Sequence, residues 1–203
     1  TEIFVRRMNA ASGEFLSDET RISDVGTRGN TRIDGANPDV AYDAIHNQYL
    51  VVWESDSDTG SLVNNEFEIY GQHLDGVDAA EMGLDDFRIS VTSAEGNADR
   101  DATNPAVAFN GVDFMVVWQA DAGSVDDKYE IYGRRYSGET GFQVPTLFTI
   151  SETGSSSDAS RFAENPAICA SLDAEADNGF LVVWQADLAS QGDVQIHGRY
   201  YLE

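Results

Sequence analysis

The chain has 203 residues and carries 36 Asp and Glu against 12 Lys and Arg, which gives a formal charge of −24. That balance argues against nucleic acid or an anionic membrane surface as a partner. With 41% apolar and 10% aromatic residues, the composition is that of a folded protein. The sequence contains no apolar run of about 18 residues, so we expect no direct insertion into a membrane.

The predicted elements begin with two short β-rich segments, at residues 2–7 and 21–23. The first resembles a later segment around Ile69, which lies 66 residues after Ile3. A further copy of that segment closes the chain at 195–201. The chain is therefore expected to begin and end on the same type of strand.

A pattern of four strand-like segments occurs in three copies, and the shortest of the four lies at 21–23, 88–90 and 149–151. Each copy has an Asn-Pro strand, an apolar run that ends in Trp, an acidic loop, and a strand of the Ile-Tyr-Gly type. Trp53, Trp118 and Trp184 are 65 and then 66 residues apart, which predicts equivalent buried positions and copies that differ in length only in their loops. The segments are short and separated by Gly, Ser, Asp and Asn, so we expect strands and turns rather than helices. The Asn-Pro strands lie at 37–42, 104–109 and 165–170, the Trp runs at 49–53, 114–118 and 180–184, and the third strands at 68–72, 130–134 and 195–199.

Four antiparallel strands of graded burial, repeated along a chain, are typical of a propeller blade. We therefore predict an all-β fold of three tandem four-stranded antiparallel blades, arranged as a β-propeller-like arc or partial propeller. A tandem of small β-sandwiches is the alternative, but the Trp spacing leaves few residues per copy for two packed sheets. The repeat domain is expected to cover 1–201, and 202–203 are expected to be the remnant of an expression tag. The repeat strands are expected at about 2–54, 68–119 and 130–185, with a closing strand at 195–201.

The combined signature of Asn-Pro-x-Val-Ala, Val-Val-Trp-x-x-Asp and Ile-Tyr-Gly-x-Arg resembles the propeller-type repeats of large secreted or cell-surface proteins of prokaryotes. This resemblance implies an extracellular or cell-surface location and a protein or carbohydrate partner there. We therefore predict a non-catalytic binding or scaffolding module of the adhesion type, excised from a larger protein. The alternative is a fragment of a polysaccharide-acting propeller enzyme, which carboxylates clustered in one pocket with strongly raised pKa values would favour.

An Asp stands three positions after each Trp, and the first of them opens the sequence Asp56-Ser57-Asp58-Thr59-Gly60. Alternate carboxylates before a Gly are typical of a tight cation-binding loop, and calcium prefers oxygen ligands of this kind. The alternative is that the Asp residues after the tryptophans accept backbone N–H bonds and shape the turn. The residues that we predict to bind calcium are Asp56, Asp58, Asp126 and Asp127.

The remaining reactive side chains predict no catalytic site. No motif ties a Ser to a His and an Asp, and His73 and His197 occupy different repeat positions, so no set of residues is expected to break the symmetry of the repeat. Cys169 stands where the other copies have Ala41 and Ala108, which predicts a small buried residue. The two end blades would each expose an apolar face, so we expect a homo-oligomer or contact with neighbouring blades of the parent protein.

Overall fold

The computed structural model describes residues 1–24, 33–56, 62–91, 96–121, 128–141, 143–153, 161–171, 178–188 and 192–202. None of these stretches contains a helix long and apolar enough to span a membrane. The strands are β1 (Phe4–Val5), β2 (Thr20–Arg21), β3 (Asp34–Asp43), β4 (Gln48–Asp56), β5 (Phe67–Asp75), β6 (Glu81–Arg88), β7 (Ala102–Phe109), β8 (Asp113–Ala120), β9 (Glu130–Ser137), β10 (Gln143–Thr149), β11 (Phe162–Ala170), β12 (Phe180–Asp187) and β13 (Val194–Tyr201).

The strands form antiparallel sheets in which neighbours in sequence pair with each other. The first sheet has the order β3-β4-β5-β6 and the second the order β7-β8-β9-β10, while β1 and β2 form a separate N-terminal pair. The predicted all-β class is confirmed. The third sheet, β11-β12-β13, has three strands within the described residues, so the prediction of four strands in every copy is wrong there. β13 pairs with β12, and no strand among the described residues pairs with its other edge.

The sheets pack face to face, and each Trp lies in the interface with the preceding element. Trp118 shares a buried cluster with Val52 of the first sheet, and Trp184 shares one with Val117 of the second sheet. Trp53 lies against the N-terminal pair. The exposed fractions of Trp53, Trp118 and Trp184 are 0%, 0% and 7%, which confirms the prediction of equivalent buried positions.

The N-terminal pair reproduces the two outer strands of a repeat unit. In the N-terminal pair and in the first and second sheets, the backbone N–H of an Ile donates to the hydroxyl of a Ser 20 or 21 residues later. Because Ile3 and Ile22 cluster with Trp53, the pair covers the face of the first sheet that faces away from the second. The predicted equivalence of the segments around Ile3 and Ile69 is confirmed. The three bonds are Ile3 to Ser23 at 2.8 Å, Ile69 to Ser90 at 2.7 Å, and Ile131 to Ser151 at 2.7 Å.

The Asn-Pro motifs tie the sheets together through a ladder of side-chain amides. Asn37, Asn104 and Asn165 have φ angles of 49°, 53° and 53°, a left-handed conformation that Asn tolerates better than most residues. The Asn37 amide donates to Asn104 Oδ1 (3.2 Å), and the Asn104 amide donates to Asn165 Oδ1 (3.2 Å). Glu54 and Gln119 flank the ladder and accept the backbone N–H groups of Asn104 and Asn165, each at 2.8 Å. The bulge at each Asn therefore joins one sheet to the next.

The far face of the third sheet is uncovered. Leu181 is 41% and Ile196 is 77% exposed, although the equivalent residues of the other two sheets are buried. Cys169 pairs with Leu181 and is also exposed, so the prediction of a small buried residue at this position is wrong. The physical reason is that the first and second sheets are each covered by the next sheet, whereas no sheet among the described residues packs on the far face of the third.

Candidate functional site

The residues predicted to bind calcium fall only partly within the described stretches. Asp56 ends β4 and is buried. Asp58, Asp126 and Asp127 lie outside the described residues. Calcium binding by this set therefore stays a prediction.

The repeat equivalents of Asp56 have protein partners. Arg100 Nη1 lies 2.6 Å from Asp121 Oδ1. The N–H of Gly192 donates to Asp187 Oδ2 at 2.7 Å. At Asp187 the observed contact is thus the turn-shaping bond that we gave as the alternative to metal binding.

A bulge in the edge strand β6 creates the candidate site. Gly71 of β5 pairs with Phe87, but His73, only two residues later, pairs with Met82, so β6 carries extra residues between these two partners. Asp86 lies inside the bulge in a left-handed conformation with φ 42°. Bulges redirect side chains and are frequent beside active sites.

The side chain of Gln72 holds the bulge in one shape. Its amide donates to the carbonyl oxygens of His73 (3.0 Å) and Met82 (3.2 Å), and its Oε1 accepts the N–H of Asp86 (3.0 Å). Gln72 is itself buried. The backbone that carries the acidic and aromatic side chains of this region is therefore fixed by three hydrogen bonds.

The acidic cluster consists of Asp24, Glu81, Asp85 and Asp86. Carboxylate oxygens of the first three lie within 4.8 Å of one another, and these three side chains are exposed. Asp86 is half-buried, and its Oδ2 accepts the N–H of Asp24. Its buried Oδ1 has no hydrogen-bond partner among the described residues. Arg21 forms an ion pair with Asp24 at the edge of the cluster.

The environment of Asp86 favours its protonated form. Burial raises the pKa of Asp86 to about 7, and the charges of Asp85, Asp24 and Glu81 act in the same direction, while the N–H of Asp24 opposes them. An acid that keeps its proton near neutral pH, beside other carboxylates, is suited to general acid catalysis. The exposed oxygens of the cluster could also hold a divalent cation, because calcium takes carboxylate oxygens at about 2.3–2.6 Å.

The bulge also lines a cavity of about 510 Å³ between the first and second sheets. His73 stacks on Phe87 with 5.6 Å between ring centroids, and Phe87 lies 5.4 Å from the ring of Tyr136 on the second sheet. Arg88 and Glu139, of opposite charge, line the same cavity. Its wall therefore combines aromatic faces with a few polar groups, as ligand pockets usually do.

This wall contains two buried polar side chains, His73 and Tyr136. The ring nitrogens of His73 and the hydroxyl of Tyr136 make no hydrogen bond of ordinary geometry among the described residues. Burial lowers the pKa of His73, although the backbone of Gly141 and the charge of Asp43 oppose this. Burial raises the pKa of Tyr136 to about 12, and the nearby guanidinium of Arg134 opposes it. Both side chains are therefore neutral near pH 7.

The equivalent cavity between the second and third sheets has a volume of about 390 Å³ and a different wall. There Tyr201 takes the place of Tyr136, and Arg135 takes the place of His73. Arg135 is ion-paired with Asp113. The expectation that no set of residues breaks the symmetry of the repeat is therefore wrong.

The sequence motifs did not point to Asp85 or Asp86. The sequence feature that could have indicated the cluster is this acidic pair, because the second copy has Thr146-Leu147 at the same place. The sequence feature that could have indicated the cavity is His73. The other copies have no His at this position, so the repeat is broken there.

No protein-family model and no curated protein matches the sequence. Among solved structures, the chain is similar to a thermostable family-43 glycoside hydrolase, with a TM-score of 0.52 and 13% identity over 98% of this chain and 67% of that one. The chain has a propeller-like fold. An N-acetylgalactosamine deacetylase from F. plautii has a TM-score of 0.46 and 14% identity over 82% of this chain and 49% of that one. A GH43 endo-arabinanase from Bacillus licheniformis has a TM-score of 0.44 and 13% identity over 95% of this chain and 61% of that one.

The comparison corrects the predicted function. The prediction of a non-catalytic adhesion-type module is wrong, because the fold of almost the whole chain is shared with a glycoside hydrolase. The prediction assumed that no set of residues breaks the symmetry of the repeat, whereas carboxylates cluster at the β6 bulge. The alternative, a fragment of a polysaccharide-acting propeller enzyme, is better supported.

Proposed function

We propose that this chain is part of a propeller enzyme that acts on polysaccharide, with Asp86 as its general acid. The observation that carries the proposal is the acidic cluster, in which half-buried Asp86, with a pKa of about 7, lies beside Asp24, Glu81 and Asp85. Clustered carboxylates of which one has a strongly raised pKa are typical of catalytic sites. The fold shared with a glycoside hydrolase supports the same class of substrate.

Hydrolysis of a glycosidic bond needs two carboxyl groups with different roles. Protonated Asp86 would give its proton to the oxygen of the leaving sugar as the bond between that oxygen and the anomeric carbon breaks. Because Oδ2 accepts the N–H of Asp24, the proton would lie on Oδ1, and this transfer requires substrate binding to open access to that buried oxygen. A second carboxylate of the cluster would take a proton from the attacking water, whose oxygen forms the new bond to the anomeric carbon. Proton exchange with solvent then returns both groups to their starting states.

The position of the cluster suits a long substrate. Asp24, Glu81 and Asp85 are exposed, so a polysaccharide chain can approach the edge strand from solvent. Gln72 fixes the bulge, so Asp86 would be held in place without help from the substrate. Preorganisation of this kind lowers the activation free energy, because no reorganisation of the acid is needed during the reaction.

Further proposals concern architecture and setting. Two four-stranded sheets, a three-stranded sheet and the N-terminal pair support an open arc of three blades preceded by half a blade. The uncovered face of the third sheet supports contact with a further blade or with a second copy of the chain. A polysaccharide substrate is consistent with an extracellular or cell-surface location, and the excess of carboxylates is consistent with calcium as an additional ligand.

The proposal is tested by the release of reducing ends from xylan, galactan, arabinan and pectin. We expect the Asp86→Asn variant to lose about 100-fold or more in rate on the substrate that the wild type cleaves. Asp78→Asn is the matched control, because it removes an exposed acid in the turn between β5 and β6, outside the cluster, and it should leave the rate within about twofold. Equal rates for wild type and Asp86→Asn would refute the assignment.

A further inference from the structure

A second site lies between the first and second sheets, in the cavity lined by His73, Phe87 and Tyr136. We propose that this cavity binds one neutral sugar unit of a polysaccharide. None of the four residues of the acidic cluster lines it, so the site is separate from the proposed catalytic one. The inference rests on the proposed function for the class of ligand, and on the cavity itself for the existence of a site.

Unpaired polar atoms in the wall point to a polar ligand. Both nitrogens of His73 and the hydroxyl of Tyr136 are buried and make no hydrogen bond of ordinary geometry among the described residues, although the backbone of Gly141 lies near His73 and the side chain of Arg134 near Tyr136. A buried polar group that makes no hydrogen bond lowers the stability of the fold, so such a group needs an explanation. A neutral imidazole supplies one donor and one acceptor, and the phenol supplies one of each. Hydroxyl groups, which both donate and accept, match this set.

The aromatic and charged residues of the wall narrow the class of ligand. Phe87 and Tyr136 offer ring surface from two different sheets, against which the C–H face of a sugar ring can pack. Arg88 and Glu139 contribute one charge of each sign, and the chain as a whole carries −24, which disfavours an anion. The volume of about 510 Å³ lies within the range of small-ligand pockets and exceeds that of one sugar ring.

The equivalent cavity provides an internal control. The hydroxyl of Tyr201 there also makes no hydrogen bond of ordinary geometry among the described residues, although the side chain of Arg199 lies near it. No neutral imidazole faces it, because Arg135, ion-paired with Asp113, stands in the place of His73. We therefore expect Tyr136, but not Tyr201, to take part in sugar binding.

The test uses the neutral disaccharides xylobiose and lactose as probes, with calorimetry for affinity and proton NMR of the imidazole Hε1 signals. The chain has three histidines, so the signals can be assigned by substitution. We expect at least one probe to bind in the millimolar range and to shift the His73 signal, while the signals of His46 and His197 stay in place. Tyr136→Phe should weaken binding about tenfold without lowering the Tm, because it removes a hydroxyl that makes no hydrogen bond of ordinary geometry among the described residues. Tyr201→Phe should leave the affinity unchanged.

Two further variants test whether the His73 nitrogens are needed for binding and whether the site is separate from the acidic cluster. His73→Phe retains a ring against Phe87 but removes both nitrogens, and it should abolish binding while the protein stays folded. Asp86→Asn should bind the probes as the wild type does. Absence of binding by both probes, or equal affinity of wild type and Tyr136→Phe, overturns the site even if hydrolysis is found. Binding that follows this pattern without hydrolysis supports the site and rejects the proposed catalytic function instead.

Discussion

Replacement of Asp86 by Asn should stabilise the protein at neutral and alkaline pH. Asn keeps the shape of the side chain, still accepts the N–H of Asp24, and tolerates the φ of 42° at this position. It removes only the charge that burial disfavours. The variant therefore separates the cost of that charge from the rest of the bulge.

The expected gain follows from the pKa of Asp86. The folded value of about 7 lies about three pH units above the ordinary 3.8, which corresponds to about 4 kcal/mol for full ionisation. Asp86 is only half-buried, so solvent screening leaves an expected gain of about 2 kcal/mol. The folded state holds this proton more tightly than the unfolded state, so the wild type loses this stability as the pH rises from about 4 to about 7. The gain should be absent below pH 4 and complete above pH 7.

Urea unfolding of wild type and Asp86→Asn between pH 4 and 8 measures this difference. Asp78→Asn is the control, because it removes an exposed charge outside the acidic cluster and should change stability by about 0.5 kcal/mol or less. Equal stability of wild type and Asp86→Asn at pH 8, or the same gain at pH 4 as at pH 8, would refute the argument that burial holds the proton on Asp86.

Other predictions concern the scaffold and the cation. Asn104→Ala should lower the free energy of unfolding in urea by about 3 kcal/mol, because it breaks ladder bonds at 3.1 and 3.2 Å and strains a φ of 53°. Asn104→Gly relieves the strain and should recover about 1 kcal/mol of that loss. Equal losses in the two variants would contradict this. Ser90→Ala leaves the N–H of Ile69 without its acceptor at 2.7 Å and should cost about 2 kcal/mol, against about 0.5 kcal/mol or less for exposed Ser12→Ala. Calcium should raise the Tm more than sodium at the same ionic strength, and Asp58→Asn should reduce this shift; a shift lost in Asp85→Asn but kept in Asp58→Asn would place the ion at the β6 bulge.

The layout of the sheets could be predicted from the sequence because every copy must bury the same apolar run. The spacing of Trp53, Trp118 and Trp184 sets the repeat, and their common burial follows from it. The equivalence of Ile3 and Ile69 also followed from spacing, and the structure shows the same Ile-to-Ser bond at both places.

Contacts between copies could not be predicted in the same way. The hydrogen bond from Asn37 to Asn104 joins residues 67 positions apart, and no local pattern in the sequence predicts it. The exposure of Cys169 depends on whether another sheet follows, which its own strand does not encode.

The candidate site was missed because it depends on one local departure from the repeat. The bulge of β6 brings Asp86 beside Asp24, which comes from the N-terminal pair 62 residues earlier. The raised pKa of Asp86 arises from this tertiary arrangement and from burial, neither of which composition or periodicity reveals. His73 likewise becomes part of a candidate site only because Tyr136 of the next sheet lines the same cavity.

The most direct test of the central claim is the pH dependence of kcat/KM on the cleaved polysaccharide, compared with the titration of the Asp86 carboxyl by carbon NMR. The kcat/KM profile reports the essential acid of the free enzyme. We predict that Asp86 titrates near pH 7 and that kcat/KM falls about tenfold per pH unit above that value. A carboxyl that titrates near pH 4, or a kcat/KM that stays constant between pH 7 and 9, would contradict the assignment of Asp86 as the acid of a polysaccharide-acting site.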